Sequence, residues 1–114
     1  MAGTIKRTFG PLALTTTLTT NVYQGGGGSS LIYDVIRHIH ITNKTASAAT
    51  FTLYLGASGA NAAGTELFLG VSIAANSSFD YYCMLKMTSS DYLVGGSNTS
   101  IALTITAEGE QYVV

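Results

Sequence analysis

His38 and His40 form the one pair in this 114-residue sequence whose residue type and spacing could hold a metal ion. Residues two apart on a strand share a face, so both imidazoles could reach one cation. Such a pair needs a carboxylate close behind it. Here the next residues are Ile41, Thr42, Asn43 and Lys44. Glu66, the nearest Glu, falls on another expected strand, and there is no third His. The pair therefore reads as a polar, half-exposed strand face or a contact between subunits, and no metal or cofactor is expected.

Other candidate chemistry is thinner. Gly25 to Gly28 could suggest a phosphate loop, but such a loop needs a helix behind it and a Lys-Ser/Thr ending. A strand follows instead, so a flexible connection is expected. Ser, His and acidic residues occur without a Gly-x-Ser-x-Gly frame. Glu108 and Glu110 flank Gly109 and read as a solvated turn. Cys83, the single cysteine, lies in an apolar strand pattern and reads as a small buried hydrophobe, with only Lys86 as a nearby cation. Asn43, Asn76 and Asn98 each begin an Asn-x-Ser/Thr triplet, as a sequence rich in Ser and Thr produces by composition. An enzyme is not expected.

The elements that must position these residues are strands. Apolar and polar residues alternate with period two, and strong helix signals are scarce. Strands are expected at about 12–23, 31–43, 50–55, 66–73, 79–85, 92–94 and 100–107, and residues 111–114 could add an edge piece. In the second of these, Val35, Ile39 and Ile41 share one side that Arg37 interrupts, while His38, His40 and Thr42 point the other way. Seven or eight short strands separated by turn residues imply an all-β fold, an antiparallel β-sandwich of jelly-roll or immunoglobulin-like topology. Residues 1–11 are expected as an N-terminal arm and 12–114 as one sandwich domain.

Composition bounds the partners. Only 10% of residues are charged against 46% hydrophobic, with a net charge of −1, where soluble domains usually carry about 25% charged residues. So little charge does little to keep copies apart, which points to assembly. Five Lys and Arg in all give no basic footprint for nucleic acid. No apolar run is long enough to span a bilayer, and no apolar stretch follows Lys6 and Arg7 as a secretory signal requires. Tyr54, Phe68, Tyr82 and Met84 all alternate onto the side away from the expected core. They suit a contact with another subunit, cover by a segment of the same chain, or, for Tyr54 or Tyr82, stacking on a sugar. Lys6, Arg7 and Phe9 are the arm residues expected to engage a neighbour, the first two by charge and Phe9 as an anchor.

The segments Lys6-Arg7, Phe9-Gly10-Pro11, the threonine run ending at Val22-Tyr23, Ile36 to Asn43, and Phe51-Thr52-Leu53 resemble small structural proteins from the virion modules of tailed bacteriophages. Ala63-Gly64-Thr65, Leu67-Phe68 and Ala75 to Ser78 continue the likeness over most of the sequence. The resemblance implies a non-enzymatic β-sandwich subunit located on the virion. It would work as a homo-oligomer and through contacts with the major capsid protein or tail proteins. Decoration of the capsid is the leading expectation, and a tail-associated or fibre subunit is the alternative. A carbohydrate-binding module for host attachment is the rival from another class, although no Trp is present to stack on sugars. A cupin-like metalloenzyme would rest on His38 and His40 alone.

Overall fold

Alternating β-branched, aromatic and hydroxyl residues suit half-buried strands, and the computed structural model, which describes residues 3–113, is built from them. They are β1 (Thr4–Ala13), β2 (Asn21–Gln24), β3 (Ile32–Asn43), β4 (Ala49–Gly56), β5 (Glu66–Ile73), β6 (Ser78–Met87), β7 (Tyr92–Ser97) and β8 (Leu103–Val113). One sheet has the order β1-β8-β3-β6 and the other β2-β7-β4-β5. All pairings are antiparallel. The first strand pairs with the last, the second with the second-to-last, and so inward to the β4–β5 hairpin. That nested wrapping across two sheets is a jelly roll, which decides between the two expected sandwich topologies.

The core lies between the sheets. Ile36, Ile39 and Ile41 of β3, Phe51 and Leu53 of β4, Leu93 of β7, and Leu103 and Ile105 of β8 are almost wholly buried. Each such side chain is worth about 1.5–3 kcal/mol of burial. Phe51, Phe68, Phe79 and Tyr81 pack edge-to-face or tilted, 4.9–5.5 Å between ring centres, and fill the side of the sandwich where β5 and β6 run. Asn43 is the buried polar hub of the β3–β4 connection. Its amide donates to the Ser47 and Ile73 carbonyls at 2.9 and 3.0 Å, and its oxygen accepts from the Thr45 backbone at 2.9 Å. An asparagine so engaged has no free amide for a glycan.

Several expected boundaries move. The strand expected at 12–23 is two strands, with bends over residues 14–20. Leu14 remains buried there, and its backbone N–H donates to the Leu103 carbonyl at 2.8 Å. The expected arm is not one from Thr4 onward: it is β1, hydrogen-bonded along β8, while Met1 and Ala2 fall outside the described residues. The last long strand runs to Val113, so Glu108, Gly109 and Glu110 are mid-strand rather than in a turn. Gln111 to Val113 thus belong to a strand between β1 and β3, not to an edge, and Val114 falls outside the described residues. Gly25–Gly28 forms a short 3-10 turn whose first two residues are buried.

Two irregularities set which side chains face out. The register of β3 shifts between Ile36 and His38 against both neighbours. Ile36 and Ile39 both point inward and Arg37 is exposed, so the charge that interrupted the apolar row marks a β-bulge. In β5, Gly70 takes a left-handed φ of 57° where the register with β4 also shifts. That extra residue turns Phe68 toward the core and leaves Leu69 exposed, the reverse of simple alternation.

Candidate functional site

The outer face of the β1-β8-β3-β6 sheet gathers both histidines with several charged and aromatic side chains into cross-strand rows. In one row His38 lies between Glu108 of β8 and Tyr82 of β6, and Glu108 is itself opposite Arg7 of β1. In the next, His40 lies between Thr106 and Asp80. Tyr33 faces Tyr112, and their rings stack at 5.0 Å with the Lys86 ammonium 4.6 Å from the Tyr33 ring centre. Antiparallel pairing brings such opposed side chains into contact.

The carboxylate that the sequence around His40 lacks comes from β6. Asp80 Oδ1 lies 2.7 Å from His38 Nε2 and 2.6 Å from His40 Nδ1. The remote ring nitrogens are held too. His38 Nδ1 is 3.0 Å from Glu108 Oε1, and His40 Nε2 is 2.8 Å from Thr42 Oγ1. The Tyr82 ring lies flat on His38, 4.4 Å between centres and 3° from parallel. Beside them Arg37 pairs with Glu110 at 3.0 Å, and Glu110 accepts the Tyr112 hydroxyl.

These contacts explain the direction of each titration. Hydrogen bonding to Glu108, then to Asp80, favours the imidazolium and raises the His38 pKa. Hydrogen bonds from His40 and then His38 hold the Asp80 carboxyl below its ordinary value. Tyr112 is raised by its bond to Glu110. Burial raises the Cys83 thiol, whose Sγ lies 3.3 Å from the Ile36 carbonyl, which suits a protonated packing group rather than a nucleophile.

No protein-family model and no curated protein matches this chain.

Around the cluster the face dips into an open concavity of about 650 Å³, lined by Ile5, Arg37, His38, Tyr82, Glu108 and Glu110 among others. A smaller one of about 180 Å³ involves Thr16, Leu18, Thr50, Thr52 and Asn98. The first has acid–base groups and the His38 imidazole at its rim; the second offers only hydroxyls, an amide and an apolar edge.

The residues singled out in the sequence are dispersed. Tyr82 and Met84 are each 74% exposed on β6, on the face expected. Lys6 and Arg7 are exposed on β1, with Lys6 Nζ donating to Gln111 at 3.3 Å. Phe9 is only 9% exposed and stacks on Tyr23 at 5.0 Å, so it anchors its own core rather than a neighbour's. Tyr54, 8% exposed, is buried outside the main apolar cluster, as is its cross-strand partner Val94. Phe68 turns inward at the Gly70 bulge. Sequence reasoning missed Ile5, which is 84% exposed beside the concavity, and the convergence of Asp80 and Glu108 on the His pair. Parity puts Asp80 on the outer face with Tyr82, but the residues it meets there are set by cross-strand register.

Proposed function

We propose that this jelly roll is a non-enzymatic structural subunit of a bacteriophage virion, acting as an auxiliary capsid decoration protein that assembles with itself and with capsid proteins. One observation carries the reading: a single sheet face exposes Ile5, Tyr82 and Met84 at 84%, 74% and 74% beside the Arg37–Glu110 ion pair. Apolar side chains left in water on such a face suit burial against a protein, where aromatic and Met residues are enriched. The jelly roll is a fold used by viral capsid subunits and lectins alike. The resemblance to phage virion proteins selects the former. A tail-associated position would use the same face.

Sedimentation analysis of the purified chain tests the assembly. Oligomers are expected, with the Tyr82→Ser, Met84→Ser double variant shifted toward monomer and its β-sheet circular dichroism unchanged. A chain that stays monomeric at every concentration and does not co-sediment with phage particles overturns the reading. A glycan array addresses the rival use of Tyr82: saturable binding lost in Tyr82→Ala would assign the face to sugar recognition.

A further inference from the structure

We propose that His38, His40 and Asp80 form a binding site for a transition-metal dication of the zinc class, with Glu108 and Thr42 orienting the two imidazoles. Their candidate donor atoms all lie within 4.8 Å of one another. Two nitrogens and one carboxylate oxygen are a donor set that zinc accepts and that magnesium and calcium, which favour oxygen, do not.

The outer partners make the case stronger than three neighbouring ligands would. A metal-bound histidine offers one nitrogen's lone pair to the ion and usually donates its other N–H to a carboxylate, carbonyl or hydroxyl. Both histidines are arranged for that. With lone pairs on His38 Nε2 and His40 Nδ1 turned to the ion, His38 Nδ1–H donates to Glu108 across 3.0 Å and His40 Nε2–H to Thr42 across 2.8 Å. Every ring nitrogen then has a role, with Asp80 reaching the ion in place of its direct contacts to the two rings.

Charge favours the same occupant. Two neutral imidazoles leave Asp80 and Glu108 as two negative charges around the centre, while Arg37 is engaged by Glu110. A dication offsets both carboxylates. Tetrahedral zinc with bonds of about 2.0–2.1 Å sets its ligands roughly 3.3 Å apart, so the 2.6 and 2.7 Å contacts of Asp80 must open by a fraction of an ångström. Half-exposed side chains on a strand surface can make that change by rotation. Three protein ligands would leave a fourth coordination position for a solvent molecule. The site rests on this geometry alone and is independent of the assembly reading.

Calorimetric titration of zinc chloride into the full chain at neutral pH, in a buffer that does not chelate, tests it. One zinc per chain is expected, weakened at least tenfold in His40→Ala and in Asp80→Asn, and about 10–100-fold in Glu108→Ala. Cys83→Ser should titrate as the parent does, and magnesium should give no saturable heat. In the unmodified chain, zinc should shift the ring ¹⁵N resonances of both histidines. Absence of saturable zinc binding, a His40→Ala variant that binds like the parent, or unmoved histidine resonances at saturation would each overturn the proposal.

Discussion

Asp34 shows how a single residue can commit a segment to its conformation. It is fully buried on β3, where an unpartnered carboxylate would be costly. Its Oδ2 accepts from the Tyr23 hydroxyl at 2.6 Å and the Gly26 backbone at 2.7 Å, and its Oδ1 from Gln111 at 3.3 Å. Those bonds draw β2, the glycine turn and β8 onto one side chain. Burial first, then the bond to Asp34, raises the Tyr23 pKa far above the ordinary tyrosine value. Between about pH 10, where an unfolded tyrosine ionises, and its raised folded value, the native state binds more protons than the unfolded one. Stability from this group is therefore complete below pH 10 and is lost as pH rises. Urea midpoints measured from pH 8 to 11 should fall above pH 10, and Tyr23→Phe should flatten part of that fall. Tyr112, raised through Glu110, supplies another part. Equal alkaline slopes in parent and variant would contradict this assignment.

Strand elements were legible where alternation was unbroken and misread where glycine or a bend reset it. β6 alternates without fault, so Tyr82 and Met84 could be placed outward and Cys83 inward from sequence. The row Leu12, Leu14, Leu18 and Val22 continues across the bends of residues 14–20, and threonine favours strand strongly enough to hide the break. The convergence of His38, His40 and Asp80 depends on cross-strand register, which the bulge at Arg37 shifts, and no local pattern encodes it. Glycine inside a strand was the neglected signal. Gly109 and Gly70 both occupy strand interiors for different reasons, and alanine separates them. A Cβ on Gly109 would overlap the Val35 carbonyl oxygen and crowd the Ile36 backbone. A Cβ on Gly70 would meet nothing within 4 Å, so only the left-handed φ is penalised. Gly109→Ala should cost ~2–3 kcal/mol by forced displacement of backbone, and Gly70→Ala about 1 kcal/mol. Urea unfolding of both variants decides it, and the reverse ranking would refute the assignment.

At the scale of the whole molecule, the nested pairing makes the two ends of the chain interdependent. Thr4 is opposite Gln111 and Phe9 opposite Ala107, so β8 is interior to its sheet only because β1 covers its flank. An arm that merely reached toward a neighbour could be removed without effect on the fold. Here removal of residues 1–10 would strip most of β1, expose the hydrogen-bonding edge of β8 and empty the place Phe9 fills against Tyr23. Loss of a buried Phe side chain alone costs about 3–5 kcal/mol, a large share of the ~5–15 kcal/mol that holds a domain folded. The truncated chain should therefore unfold at a much lower urea concentration, or fail to fold, so that any binding lost on truncation would follow from the lost fold. The Lys6→Ala, Arg7→Ala double variant keeps the strand and removes two exposed charges whose contacts are screened by water, so its stability should stay within about 0.5 kcal/mol of the parent. Loss of particle binding in that variant would locate a partner on β1, a question the deletion cannot answer. A truncated chain with the parent's unfolding midpoint would mean that β1 contributes nothing to the sandwich.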